Sequence, residues 1–365
     1  MPQSTNYVTK HIVLFINFQL ENNSMQTIIV TGGAGYIGSH TIIELLNTTD
    51  YHVVSVDNLS NSTARSYDRI KQLTTRKFEL VPIDLCDRNA VETHLSKMKN
   101  ISGIIHFAAF KSVPESVADP ILYYHNNLNS LTNLLQFCKE YAVPHFIFSS
   151  SCSVYGNSKA LPVTEETPFQ KAESPYGHTK QIGEEMIDFF SKANPSFQAV
   201  MLRYFNPVGA HTSGKIGEYP LHKPNNLVPI ITQTAVGKNQ LTVFGSDYET
   251  RDGSCIRDYI HVTDIANAHV KALHYLNAKK NKHKVSLFNL GTGNGVSVLE
   301  AIRSFEKMSG ITLNYKLGAR REGDVVSIYA NNSLAKTELN WSPEFSLDDM
   351  MLSAWKWQQT LEAET

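Results

Sequence analysis

The sequence predicts an α/β fold, a Rossmann-type doubly wound parallel sheet with a smaller mixed α/β C-terminal substrate domain. Three observations carry that expectation. The run Thr31-Gly32-Gly33-Ala34-Gly35-Tyr36-Ile37-Gly38 joins an apolar β-branched stretch to one with apolar residues at helical spacing. Short strand-like runs then alternate with helix-like ones, which implies parallel strands covered on both faces. The second strand-like run ends in Asp57, about as far from the glycine turn as dinucleotide-binding units require.

The first element, Thr27-Ile28-Ile29-Val30, reads as a buried strand. Gly32, Gly35 and Gly38 follow with the spacing G-x-x-G-x-x-G. So tight a turn needs residues free in φ, and a pyrophosphate approaches only where no Cβ intervenes. Ser39 to Leu46 reads as a helix whose positive N-terminal end holds the anion. Tyr51 to Asp57 is the second strand. The Asp57 carboxylate suits the ribose hydroxyls of NAD and repels the 2′-phosphate of NADP. Asn58 to Ser66 reads as a polar loop under the adenosine.

Phe78 to Ile83 is a third strand, ending at Asp84-Leu85, and Ser102 to Phe107 a fourth, ending at Ala108-Ala109. Pro120 to Glu140 reads as a long helix. His145 to Phe148 is a fifth strand, ending at Ser149-Ser150-Ser151. A helix runs from about Pro175 to Lys192, with Ser174 as N-cap and Pro175 as first residue. Ala199 to Arg203 is the sixth strand. Asp258 to Val262 and the helix Asp264 to Leu276 read as a return to the main sheet. Ligands in such sheets collect at the carboxyl ends of the strands, so one cleft gathers Gly32, Asp57, Asp84, Ala108 and Ser151.

The 365 residues are 42% hydrophobic and 18% charged, enough for a sizeable core in one or two domains. A net charge of −1 points to no nucleic-acid partner and no membrane surface. Cys86, Cys138, Cys152 and Cys255 are scattered, so they read as reduced thiols of a cytoplasmic protein, with no zinc site. The fourteen histidines show no metal-ligand spacing. Ile12 to Ile16 faintly resembles a secretory leader but lacks a small-residue cleavage site. Met25 precedes the first strand, so residues 1–24 are expected to be an extension outside the fold.

The chemistry is expected at Tyr176-Gly177-His178-Thr179-Lys180, which puts a phenol and an ammonium on one helix face. A tyrosine that acts as a base near neutral pH must drop about three units from its usual value near 10, about 4 kcal/mol. One positive charge at about 5 Å supplies roughly 3 kcal/mol at an effective dielectric near 20. Lys180 is the candidate for that charge, with an oxidised nicotinamide and the helix N-terminus adding the rest. Ser151 is placed to donate or relay a hydrogen bond to the same substrate hydroxyl.

The segments TGGAGYIGSH, VDNL, HFAAFKSVPES, YYHNN, FIFSSSCSVYG, SPYGHTK, RYFNPVGAH, NNLVP, RDYIHV and RREGD resemble UDP-glucose 4-epimerases of the extended short-chain dehydrogenase/reductase superfamily. The resemblance runs from about Met25 to the C-terminus. It implies tightly held NAD, a Tyr176 that takes the proton of the sugar 4-hydroxyl, and a 4-keto sugar that turns over before hydride returns. The substrates implied are UDP-galactose and UDP-glucose. By position, Tyr36, Ile37, Asp57, Asn58, Asp84, Leu85, Phe107, Ala108, Ala109, Lys111, Asn126, Lys180 and Tyr204 match cofactor contacts. Asn206, Asn226, Leu227 and Thr242-Val243-Phe244 match positions around the substrate. Arg257 and Arg321 match pyrophosphate anchors, Asp324 closes the R-E-G-D motif, and a homodimer through the helices at 120–140 and 176–192 is implied. The NAD-binding domain is expected to take residues 25–206 plus about 258–292, and the nucleotide-sugar domain 207–257 plus about 293–365.

Two departures stand out. Ile328 falls where bacterial relatives often carry a tyrosine and some animal ones a smaller residue, which leaves open whether N-acetylated UDP-sugars are accepted. Ser254-Cys255 replaces a more usual Thr-Gly before Arg257. The competing readings are a 4-epimerase of another UDP-sugar (xylose or glucuronate) and a catalytically silent NAD sensor. The sensor would be expected to lose the tyrosine or the lysine, and this chain has both.

Overall fold

The chain opens with β1 (Thr27–Thr31), the glycine turn and α1 (Tyr36–Thr48). There follow β2 (His52–Val56), α2 (Arg65–Leu73), β3 (Glu79–Val81), α3 (Arg88–Leu95), β4 (Ile101–His106), α4 (Val113–Ala118), α5 (Pro120–Glu140) and β5 (His145–Ser151). A 3-10 turn at Cys152–Tyr155 leads on to α6 (Pro175–Ala193), β6 (Gln198–Tyr204) and β7 (Asn206–Val208). Next come α7 (Leu227–Ala235), β8 (Leu241–Phe244), β9 (Ile256–Arg257), β10 (Tyr259–His261), α8 (Val262–Asn277), β11 (Val285–Leu290) and β12 (Val296–Ser297). The last elements are α9 (Val298–Ser309), β13 (Tyr315–Gly318), β14 (Ser327–Ile328), α10 (Ser333–Glu338) and α11 (Leu347–Ala363). This computed structural model describes residues 25–219, 221, 224–321 and 325–364. The expected extension at 1–24 and Asp324 therefore lie outside the described residues.

Seven strands form one parallel sheet in the order β11-β6-β5-β4-β1-β2-β3. The order reverses between β1 and β4, and a crevice opens at such a switch point. Side-chain alternation divides the core. Ile28, Val30, Ile105, Ile147, Val200 and Leu202 face α1 and α8, while Ile29, Ile104, Phe146, Phe148 and Met201 face α5 and α6. Because both faces are covered, the central strand β1 is buried along its whole length rather than alternating. A second core of Val228, Ile231, Val243, Ile302, Phe305 and Met351 gathers α7, α9 and α11. Three small sheets surround it, β10-β7, β12-β9-β14 and β13-β8.

The expected return of Asp258 to Val262 to the main sheet is corrected. β10 pairs with β7, not with the large sheet. The seventh strand is β11, in register with β6 from Val285 opposite Ala199 to Leu290 opposite Tyr204. The expected N-cap of α6 is present: Ser174 Oγ accepts from Gly177 N at 3.2 Å, with Pro175 in the first turn.

Four histidines, His40, His106, His261 and His269, are buried at 3% exposure or less. Burial disfavours the imidazolium, taking His40 and His106 down to about 3 and His261 and His269 to about 4. Each folded value lies below the unfolded one near 6.5. Their contribution is therefore complete above that pH and is lost as pH falls toward 3–4. From pH 7 to pH 5 each is expected to cost about 2 kcal/mol. Asp264, raised by burial to about 6, works in the opposite sense and offsets about 1 kcal/mol. A urea midpoint that falls steeply between pH 7 and pH 5 is the expected result. An unchanged midpoint would show that these rings are not held neutral.

Candidate active site

The cleft at the carboxyl ends of β1, β2, β4 and β5 begins with the glycine turn. Gly32 has φ +69°, and a Cβ there would lie 2.7 Å from Ala108 N. A Cβ on Gly38 would lie 2.2 Å from Gly32 O, so α1 sits closer to the turn than any side chain permits. Gly35 is the N-cap of α1 and no side chain caps that end. Its bare backbone leaves the first helical turn facing an open cleft of about 1050 Å³. Beside it, Asp57 is fixed from three directions. Oδ2 accepts from Ala34 N at 3.0 Å, and Oδ1 accepts from Leu59 N at 2.8 Å and Ser62 Oγ at 2.9 Å. An anion cradle next to an oriented carboxylate fits the pyrophosphate and ribose diol of a dinucleotide.

Tyr36, Ile37, Asn58, Asp84, Leu85, Phe107, Ala108, Ala109, Lys111, Asn126, Tyr176, Lys180 and Tyr204 line this same cleft. The sequence reading missed several residues that also line it, among them Asn61, Ser62 and Ser149. Ser149 is the most consequential. Its carbonyl accepts from Lys180 Nζ at 2.7 Å and its hydroxyl pairs with the Tyr204 hydroxyl. A backbone carbonyl acting as a ligand has no sequence signal; only its place at a strand end could have suggested it.

Tyr176 stands in the first turn of α6, with the Lys180 ammonium 5.9 Å from its ring centroid. The Ser151 hydroxyl accepts from Ser153 N at 3.2 Å and so caps the strand end, near enough to Tyr176 to favour its phenolate. The expected acidification needs more than Lys180. Burial pushes the Tyr176 phenol up to about 12, against a smaller downward pull from Ser151. Burial also draws Lys180 down to about 8, opposed by the Glu184 carboxylate. The lysine's strongest partner is a carbonyl rather than the phenol. A further positive charge entering the cleft beside the phenol would pull it back down.

The expected substrate residues lie on the small sheets. Arg257 pairs in register with Ile328 across β9 and β14. Its Nη1 donates to Val325 O at 2.5 Å and to Ile256 O at 2.9 Å. Asp258 beside it is fully buried and braces the surrounding loops. It accepts from Thr292 N at 2.8 Å, Gly293 N at 3.1 Å and Ala330 N at 3.0 Å. Arg321 stands over the exposed Phe244 ring at 5.4 Å. β8 alternates, with Thr242 and Phe244 outward and Leu241 and Val243 in the second core. The Val243 side chain is thus core packing and offers a ligand only its backbone. Leu227 is half-buried against the same core, Asn206 begins β7, and Asn226 is the N-cap of α7. Ile328 is buried with Val154, Tyr155, Val163, Phe205 and Ala330, and Cys152 packs at the edge of that group. No helix among the described residues is long and apolar enough to cross a membrane.

Fold and site together define a class, the extended short-chain dehydrogenase/reductases. A family model described as GDP-mannose 4,6 dehydratase matches residues 29–353. UDP-glucose 4-epimerase of Haemophilus influenzae is 47% identical over 333 residues, 91% of this chain and 97% of that protein. The mouse UDP-glucose 4-epimerase is 46% identical over 342 residues, 92% of this chain and 97% of its own. Among solved structures, the Bifidobacterium longum UDP-glucose 4-epimerase in complex with NAD+ and UDP has a TM-score of 0.88 at 44% identity, covering 93% of this chain and 100% of that one. The chain belongs to the UDP-glucose 4-epimerase family.

Proposed function

We propose that this protein is an NAD-dependent isomerase that interconverts UDP-galactose and UDP-glucose. The observation that carries the reading is the convergence of Tyr176 and Lys180 on the cleft that the glycine turn and Asp57 also line, with Ser151 at the strand end behind it. The family model's description suggests dehydratase chemistry, but Ser151 is followed by Cys152 and Ser153, with no acid pair to eliminate water.

In this reading Gly32, Gly35 and Gly38 admit the pyrophosphate of NAD to the end of α1, and Asp57 takes the ribose diol. Once bound, NAD supplies reversible hydride acceptance at the sugar C4. Tyr176 accepts the proton of the 4-hydroxyl as its phenolate and returns it later. Ser151 donates to the same oxygen while it is a carbonyl in the 4-keto sugar. Lys180, held by Ser149 O, keeps its ammonium under the phenol. Arg257 and Arg321 hold the UDP pyrophosphate, for which a guanidinium fork is suited, while the sugar swings to present its other face. The hydride and the proton both return, so the net reaction is not a redox one.

Purified protein given UDP-galactose and no added NAD should form UDP-glucose. Absence of turnover with NAD retained would favour a sensor instead. Ile328 bears on the sugar pocket, through its register with Arg257. Ile328→Tyr is expected to lower activity on UDP-N-acetylglucosamine about tenfold more than on UDP-galactose. Equal losses would assign Ile328 to packing alone.

We also propose the two-domain division at 25–206 plus about 258–292 and 207–257 plus about 293–365, for which the separate cores speak. A homodimer through α5 and α6 is supported by Ile121 and Phe189, which are 72% and 69% exposed. A cytoplasmic location is supported by four free thiols.

A further inference from the structure

Glu218 lies beside the cofactor cleft, between Lys111 of its lining and Asn226 at the start of α7. Its backbone is pinned. The carbonyl accepts from Trp357 Nε1 at 2.8 Å, and Gly217 bridges to Ala210. A Cβ on Gly217 would lie 2.5 Å from the Trp357 ring, so this segment is pressed against α11. The carboxylate reaches away from that anchor. Its Oε1 accepts from Lys111 Nζ at 2.8 Å and from Asn226 Nδ2 at 3.4 Å. Lys111 lines the cofactor cleft and stands 5.9 Å from the Tyr36 ring centroid. Asn226 is the N-cap of α7, which the family resemblance places beside the substrate. One oxygen thus receives a donor from each side.

A carboxylate beside a phosphate-binding cleft opposes its ligands electrostatically, so its presence calls for a compensating role. Lys111 is half-exposed and long, and without an acceptor it would spread over many rotamers. Glu218 holds it at the cleft mouth and ties its position to that of Asn226.

We infer that Glu218 is a positioning residue whose carboxylate couples Lys111 of the cofactor cleft to Asn226 at the start of α7, so that a uridine nucleotide in the cleft slows the loss of NAD. The inference rests on the function proposed above. Coupling of this kind is reciprocal, so NAD strengthens nucleotide binding by the same factor. The ion pair is partly exposed, which limits the effect to about three- to tenfold.

The test uses the full chain loaded with NAD. The half-time of NAD loss into an excess of an NAD-degrading enzyme is measured with and without UDP. UDP is expected to lengthen the parent's half-time, and Glu218→Gln to shrink that protection at least threefold. Lys111→Met should shrink it as far, with no further loss in the double variant. A purely structural role would lower the melting temperature of Glu218→Gln and leave the protection ratio at the parental value. That outcome would overturn the inference while the epimerase reading stands, and so would losses that add in the double variant. A parent that retains no NAD would overturn both.

Discussion

Tyr176→Phe is expected to lower kcat by about 10²–10⁴-fold while the protein keeps its NAD. The substitution removes one oxygen from a half-buried ring on the cleft wall and leaves the rest of that wall unchanged. In the proposed reading cofactor binding draws on the glycine turn, on Asp57 and on Lys180, none of which depends on the phenol for its place. Lys180 stays fixed by Ser149 O at 2.7 Å. Because burial pushes the phenol up to about 12, the proposed proton transfer calls on the charge that would enter with the cofactor. The two measurements are the initial rate on UDP-galactose and the nucleotide released on denaturation. Near-parental turnover would remove Tyr176 from the role of base, and loss of NAD would show that the ring holds the cofactor.

The largest stability effect is expected at Arg203 and Glu184, which form a bidentate pair at 2.6 and 2.9 Å with side chains 4% and 5% exposed. Ser150 donates to the same carboxylate, and Arg203 Nη1 donates to the Tyr155 hydroxyl at 2.9 Å. Tyr155 in turn donates to Asn289 Oδ1 at 2.6 Å. Arg203→Met leaves the Glu184 carboxylate buried without its counter-charge, at a cost of about 3–5 kcal/mol. Replacing both, as Arg203→Met with Glu184→Leu, should recover much of that, because the desolvation of two ions is removed as well. The midpoints of urea unfolding report both values. A single-variant loss below about 1 kcal/mol would contradict the network. Activity should fall in Arg203→Met too, since Ser150 and Tyr155 flank Ser151 and its turn.

The parts of this site that were legible in the sequence are those set by local rules. A strand, a glycine turn and a helix announce themselves by period and by the φ angles that only glycine accepts easily, so β1, Gly32 and α1 were readable within a few residues. Ser174 and Pro175 likewise mark the start of α6 and thereby place Tyr176. What depended on distant partners was not legible. α2 buries only Tyr67 and Ile70, so its sequence carries little helical signal, and the loop read at Asn58 to Ser66 runs into its first turn. Val285 to Leu290 carries Ser286 and Asn289, and only the edge of β6 makes a strand of it. Asp258 to Val262 is apolar enough for the main sheet, yet Asn206 N donates to Asp258 O at 2.9 Å and draws it to β7 instead. The spacing of Tyr176 and Lys180 is a property of the helix, whereas the burial that raises one and lowers the other belongs to the assembled cleft. Glu218 gave no signal because its two donors come from segments 107 and 8 residues away.

The edge position of β11 bears on how the chain is made. During synthesis β6 leaves the ribosome some eighty residues ahead of Val285, and until that strand arrives its outer N–H and C=O groups face water. A nascent chain halted in this interval presents an open ladder that a neighbouring copy or a chaperone can occupy. Premature stops before residue 285 should therefore yield insoluble material, not a smaller working protein.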